Sequence, residues 1–162
     1  MIKGVNMTIS LYAGSFDPIT YGHLDIIKTS ASMFEKVIIA VGYNENKKSF
    51  IPVEKRLELI NDCVKNIPTA EVCFYEGLTV DFAKKKNASV LIRGLRNPAD
   101  FGFENELAQV NSKLNNNIHT VCLFAKPELA CISSSAVREI LANGGDLSGF
   151  VPQNVLDYLK TN

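Results

Sequence analysis

The chain has no net charge: 17 lysines and arginines face 17 aspartates and glutamates in 162 residues. That balance excludes a protein that coats nucleic acid through bulk charge, so any polyanion-binding surface must be local. Cysteine is sparse, and Cys63, Cys73, Cys122 and Cys131 form no C-x-x-C pair, which excludes the usual zinc and redox motifs. Each cysteine lies in an apolar run and reads as a buried free thiol. No apolar run reaches the roughly 18 residues needed to span a bilayer, and the N-terminus lacks a signal-type apolar core. A cytoplasmic protein with reduced thiols is expected. Two common nucleotide fingerprints are missing as well, since the chain contains neither G-x-G-x-x-G nor G-x-x-x-x-G-K-[ST].

What is present is a globular composition, 46% hydrophobic and 21% charged, in a length that suits one domain over residues 1–162. Residues 1–6 carry no motif and read as an N-terminal extension. Short β-branched runs alternate with amphipathic stretches. Strands are predicted at Thr8–Ala13, Lys36–Val41, Glu71–Tyr75, Ser89–Arg93 and His119–Phe124. Helices are predicted at Gly22–Phe34, Val53–Ile67, Leu78–Lys86, Asp100–Leu114, Ser134–Ala142 and Val155–Lys160. Five strands alternating with helices imply an α/β fold with a parallel sheet covered on both faces. Such a sheet binds ligands beyond the carboxyl ends of its strands, where the strand order reverses.

The chemistry-bearing motifs all follow strands. After the first comes G-S-F-D-P-I-T-Y-G-H, in which Gly14 allows close approach to a ligand and Ser15 offers a hydroxyl and an N–H. Asp17-Pro18 makes a turn. Gly22 and His23 open a helix, whose unpaired N–H groups suit phosphate, and His23 can donate to a phosphate oxygen. Lys47 and Lys48 follow the second strand and are candidates to bridge phosphates. R-G-L-R follows the fourth, with Arg93 and Arg96 suited to bidentate phosphate binding or to ion pairs with Asp100 or Glu104. Glu104 is alternatively an acceptor for a ribose or base. I-S-S-S-A-V-R follows the fifth, supplying a cap, hydroxyls, another helix N-terminus and Arg138.

Taken together these stretches resemble a known family. G-S-F-D-P-I-T-Y-G-H is similar to the T/HxGH motif of the nucleotidylyltransferase superfamily, and I-S-S-S-A-V-R to its ISSTxxR signature. L-I-R-G-L-R-N-P-A-D-F, with Glu104 and the lysine pair, resembles the bacterial phosphopantetheine adenylyltransferases, and the likeness runs from about Ile9 to Tyr158. It implies a Rossmann-like, dinucleotide-binding-type fold. It also implies transfer of AMP from ATP to 4′-phosphopantetheine, giving dephospho-coenzyme A and pyrophosphate in coenzyme A biosynthesis, with Mg2+ and a homohexamer. By resemblance, Ser15, Lys47, Thr79 and Arg93 bind the acceptor, and His23 stabilises the transition state, with Lys47 and Arg93 beside it in catalysis. Ser15, Phe16, His23, Gly94, Leu95, Arg96, Glu104 and the segment Leu129, Ala130, Cys131, Ile132, Ser133, Ser134 and Ser135 bind ATP. A sibling transferase acting on another phosphorylated acceptor, such as nicotinate mononucleotide, shares the first and last motifs. A non-catalytic nucleotide-binding regulator is the rival of another class.

Overall fold

The computed structural model describes residues 8–43 and 48–161. The strands are β1 (Ile9–Gly14), β2 (Lys36–Gly42), β3 (Ala70–Tyr75), β4 (Val90–Leu95) and β5 (His119–Phe124). The helices are α1 (Tyr21–Met33), α2 (Val53–Val64), α3 (Thr79–Lys85), α4 (Pro98–Leu114), α5 (Ser134–Ala142) and α6 (Gln153–Thr161). All strand pairs are parallel, in the order β3-β2-β1-β4-β5. The order reverses between β1 and β4, which opens a crevice at their carboxyl ends.

Alternation along the three inner strands divides the core. Tyr12, Val37, Ile39, Val41, Val90 and Ile92 face one way and pack with Leu24, Ile27, Ile60, Val137, Val155 and Leu159 of α1, α2, α5 and α6. Leu11, Ala13, Ile38, Ala40 and Leu91 face the other way, against Val80 and Ala83 of α3. Cover is uneven. The outer strands β3 and β5 are half-buried at best along their length. The cysteines depart from expectation: Cys73 on β3 and Cys122 on β5 are half-buried for that reason, Cys63 on α2 is half-buried as well, and Cys131 is exposed. Of the residues in α4 only Glu104 is buried, and Phe101, Phe103, Val110 and Leu114 are each more than half exposed.

Several boundaries differ from the predicted ones for local reasons. Helix α4 begins two residues early because the Asn97 side chain accepts from the Asp100 N–H at 3.0 Å and Pro98 suits the first helical position. Helix α2 stops at Val64, short of the predicted Ile67. Strand β4 continues through Arg93 to Leu95 because Gly94 and Leu95 pair with Leu123 and Phe124. A single 3₁₀ turn at Pro127–Leu129 went unpredicted. Gly144, at φ +69°, supplies the left-handed residue past the end of α5, and the next N–H reaches back to Ile140 at 2.9 Å.

The loop from β1 to α1 is held from several sides. Asp17, expected only to make a turn with Pro18, is buried, and its carboxylate accepts from the Phe50 and Ile51 N–H groups, both at 2.8 Å. This ties the loop to the chain segment entering α2. Removing that carboxylate leaves the Phe50 and Ile51 N–H groups without their acceptor and frees the loop from the start of α2. Asp17→Ala is expected to cost about 2–4 kcal/mol, read by urea unfolding, and an undiminished midpoint would contradict the clamp.

Candidate active site

A cavity of about 340 Å³ opens at the carboxyl ends of β1 and β4. It collects Ser15, Phe16, His23, Arg93, Gly94, Arg96, Glu104, Ile132, Ser133, Ser134 and Ser135 from the predicted set. Thr79, Leu95, Leu129, Ala130 and Cys131 do not line it, and Lys47 lies outside the described residues. Leu95 is buried at the end of β4. Thr79 starts α3, and its hydroxyl bonds the Tyr75 hydroxyl at 2.7 Å. The lining also includes Gly22, expected at the helix start, and Tyr12, Thr20, Ile26 and Ala125, for which no role was expected. Gly22 and Thr20 sat inside the quoted motif, while Tyr12 and Ile26 looked like ordinary core residues.

The two glycines serve packing in addition to any ligand. A side chain on Gly14 would press on the Phe16 ring at 3.2 Å, and one on Gly94 on Ile26 at 3.2 Å. Phe16 itself sits at φ +46° with its ring buried, a backbone state that costs a non-glycine residue roughly 1 kcal/mol or more. The ring meets His23 edge-on at 5.1 Å between centroids and Tyr12 at 5.3 Å.

His23 has a defined proton. It is the third residue of α1 and closes a capping box with Thr20. Its Nδ1 accepts from the Thr20 N–H at 3.1 Å, while its own N–H donates to Thr20 Oγ1 at 3.4 Å. An Nδ1 that accepts leaves the proton on Nε2 in the neutral ring. Burial pushes the imidazole pKa down to about 4, and the Arg96 charge adds to the shift. The start of α1 acts in the same direction through its dipole. His23 is therefore a neutral donor at physiological pH, with no free lone pair to act as a base.

Two helix N-termini converge here. At α1, the Tyr21 N–H donates to the Phe150 carbonyl at 3.0 Å and the His23 N–H is capped. At α5, Ser133 Oγ accepts from the Ala136 N–H at 3.1 Å. Gly22, Ser134 and Ser135 thus present the amide groups left over at these ends. The three serine hydroxyls are less free than predicted. Ser134 Oγ donates to the Pro18 carbonyl at 2.8 Å, and Ser135 Oγ accepts from Arg138 Nη2 at 3.2 Å. Arg138 reaches the Asp17 carbonyl with Nη1 at 2.5 Å.

The arginines of R-G-L-R are both paired. Arg93 grips Glu104 through Nε at 2.5 Å and Nη2 at 2.7 Å, and its Nη1 donates to the Ala13 carbonyl at 3.1 Å. Arg96 forms a similar fork to Asp100 at 3.0 and 3.1 Å. The Arg96 side chain is the first cause holding the Asp100 carboxyl below its usual range. Both ion pairs allowed by the sequence thus form. An anion arriving here meets arginines already oriented, with carboxylates to be exchanged or shared.

Among the described residues no cluster of three His, Cys, Asp or Glu side chains could hold a metal ion. The cavity is rich in N–H, hydroxyl and guanidinium donors, which fit phosphate oxygens. A metal fits this donor set only as a companion of the phosphates, which it binds while keeping several waters.

The site and sheet define a class. The family described as cytidylyltransferase-like matches residues 11–140. A solved structure from Vibrio parahaemolyticus assigned as a nicotinate-nucleotide adenylyltransferase superposes with a TM-score of 0.72. It covers 95% of this chain and 92% of that one at 17% identity, which speaks for the fold alone. Closer relatives narrow the class. The phosphopantetheine adenylyltransferase of Caldanaerobacter subterraneus subsp. tengcongensis is 46% identical over 94% of this chain and 96% of its own. That of Crocosphaera subtropica is 49% identical over 94% and 97%, and that of Leuconostoc citreum 48% over 95% and 98%. The chain belongs to the phosphopantetheine adenylyltransferase family.

The neutral state of His23 has a measurable signature. An unfolded histidine takes up its proton near pH 6.5, whereas the folded ring does so at about 4. Between those values the unfolded chain binds more protons, so the contribution of His23 to stability is complete above pH 6.5. It is lost as pH falls toward 4. NMR titration of the ring is expected to show a midpoint near 4, and a midpoint near 6.5 would contradict the capping-box tautomer and its burial.

Proposed function

We infer that the chain transfers the adenylyl group of ATP to 4′-phosphopantetheine, giving dephospho-coenzyme A and pyrophosphate in coenzyme A biosynthesis. What carries the reading is near-full-length identity of 46–49% to phosphopantetheine adenylyltransferases, joined to a donor-lined cavity at the sheet's switch point.

The residues supply a mechanism of alignment and charge stabilisation. The acceptor phosphate is largely dianionic near neutral pH, its second pKa being about 6. Its oxygen attacks the α-phosphorus of ATP, a new P–O bond forms, and the bond to the bridging oxygen breaks to release pyrophosphate. No proton needs to leave the nucleophile, which agrees with a His23 that can only donate. Nε2–H of His23 and the Gly22, Ser134 and Ser135 amides meet the charge that grows on the α-phosphate and the leaving group. Ser15, Lys47, Thr79 and Arg93 hold the acceptor. Phe16, Gly94, Leu95, Arg96, Glu104 and residues 129–135 hold ATP, with Leu95, Leu129, Ala130 and Cys131 contributing from the rim or from behind. Mg2+ carried by the triphosphate supplies further charge neutralisation.

The whole of residues 1–162 acts as one catalytic domain in this reading. The chain assembles as a homo-oligomer, a hexamer by its family resemblance. The feature that supports assembly is α4, whose Phe103, Val110 and Leu114 lie along one side of the helix and are each more than half exposed.

Purified protein is expected to form dephospho-coenzyme A and pyrophosphate from ATP and 4′-phosphopantetheine, and turnover with nicotinate mononucleotide instead would favour the sibling activity. His23→Ala is expected to lower kcat by roughly 10²–10³, the scale of one lost oxyanion-type donor, with circular dichroism unchanged. Near wild-type turnover in that variant would sink the mechanism. Arg93→Ala is expected to lower kcat/KM for the acceptor by about 10–100-fold, and an effect confined to ATP would contradict its assignment. Sedimentation of a monomer at micromolar concentration would overturn the assembly.

A further inference from the structure

Arg56 belongs to none of the motifs above. It lies on α2 and is only 2% exposed. Its Nη1 donates to the Ser15 carbonyl at 2.6 Å and its Nη2 to the Ser49 hydroxyl at 3.1 Å. Its Nε is buried without a partner, and no carboxylate pairs with it among the described residues. A buried guanidinium held by neutral acceptors is costly to keep. It borders a second cavity of about 160 Å³, which shares Ser15 with the larger one and does not share Arg56, so it reaches the β1–α1 loop from outside the larger cavity.

The contact falls on one particular peptide. The Ser15 carbonyl belongs to the same planar trans unit as the Phe16 N–H, so the two point in opposite directions. A charged donor on the carbonyl both fixes the plane and strengthens the N–H on the far side as a donor. Arg138, which holds the next part of this loop, cannot do the same. Arg138 grips the carbonyl of Asp17, which is followed by Pro18, and proline has no N–H to strengthen.

We propose that Arg56 is a positioning residue for adenylyl transfer, holding and polarising the Ser15–Phe16 peptide from behind so that its N–H faces the phosphates. The proposal rests on the adenylyl-transfer reading above. It concerns the interval between ground state and transition state, because a stronger N–H gains most where negative charge accumulates.

The test compares Arg56→Met, which keeps length without charge, with Arg56→Lys, which keeps charge without the fork. Wild type is assayed first, since absent product there would fail the activity and not this role. Arg56→Met is expected to fold, by circular dichroism and thermal melting, with kcat lowered roughly 10- to 100-fold, the scale of one charge-assisted hydrogen bond. KM for both substrates is expected to stay within about threefold, because the interaction matters most in the transition state. Arg56→Lys is expected to fall between, and guanidinium at tens of millimolar is expected to restore part of the kcat of Arg56→Ala where urea does not. A folded Arg56→Met with kcat within twofold of wild type overturns the proposal. So does a loss equal in all three variants without guanidinium rescue, or failure of all three to fold, since either leaves Arg56 a structural residue only.

Discussion

The site depends on how the end of β1 and the β1–α1 loop are held by their carbonyl groups. Four of them, at Ala13, Ser15, Asp17 and Pro18, accept from Arg93, Arg56, Arg138 and Ser134. The donors come from β4, α2 and α5, so three separate elements converge on six residues of chain. A loop with so many outward carbonyls would be unstable in isolation, because a buried acceptor without a donor loses its water for nothing. With those donors in place, the loop keeps one course along the edge of the cavity. The left-handed Phe16 and the Asp17 clamp are tolerated in the same way, by surroundings that over-determine the loop.

The same arginines show how a neutral protein can bind two polyanions. Arg93 and Arg96 lie among carboxylates of α4, and the forks keep their guanidiniums extended toward the cavity side of β4. Positive potential is concentrated at one crevice and balanced within a few ångströms, rather than spread over the surface. Repulsion between the arginines is relieved in the free chain, and their geometry is prepared before a phosphate arrives.

Much of the architecture was legible in the order of apolar runs. Continuous runs such as Lys36–Val41 mark strands buried on both faces, and the motifs that follow β1, β4 and β5 do meet at one crevice. What was not legible depended on partners far away in sequence. The serines after β5 look like free donors until Pro18 and Arg138 are seen to engage them. Asp17 looks like a turn residue until residues 50 and 51 close on it. Arg56 sits in an amphipathic helix, V-E-K-R-L-E-L, where a charged residue reads as solvent-facing. The half-buried Cys73 and Cys122 follow from outer strands with one flank open, a matter of strand order that periodicity does not encode.

The burial of His23 beside Arg96 has a consequence for the environments in which the enzyme can work. With the ring neutral down to about pH 4, one of the chain's two histidines does not titrate during the reaction near neutrality. Between mild acid and neutrality the acidic limb of the rate then belongs to the substrate, whose phosphate loses nucleophilicity as it is protonated near pH 6. Acid tolerance of this step would be a property of the metabolite, and substitutions in the protein would have little leverage on it.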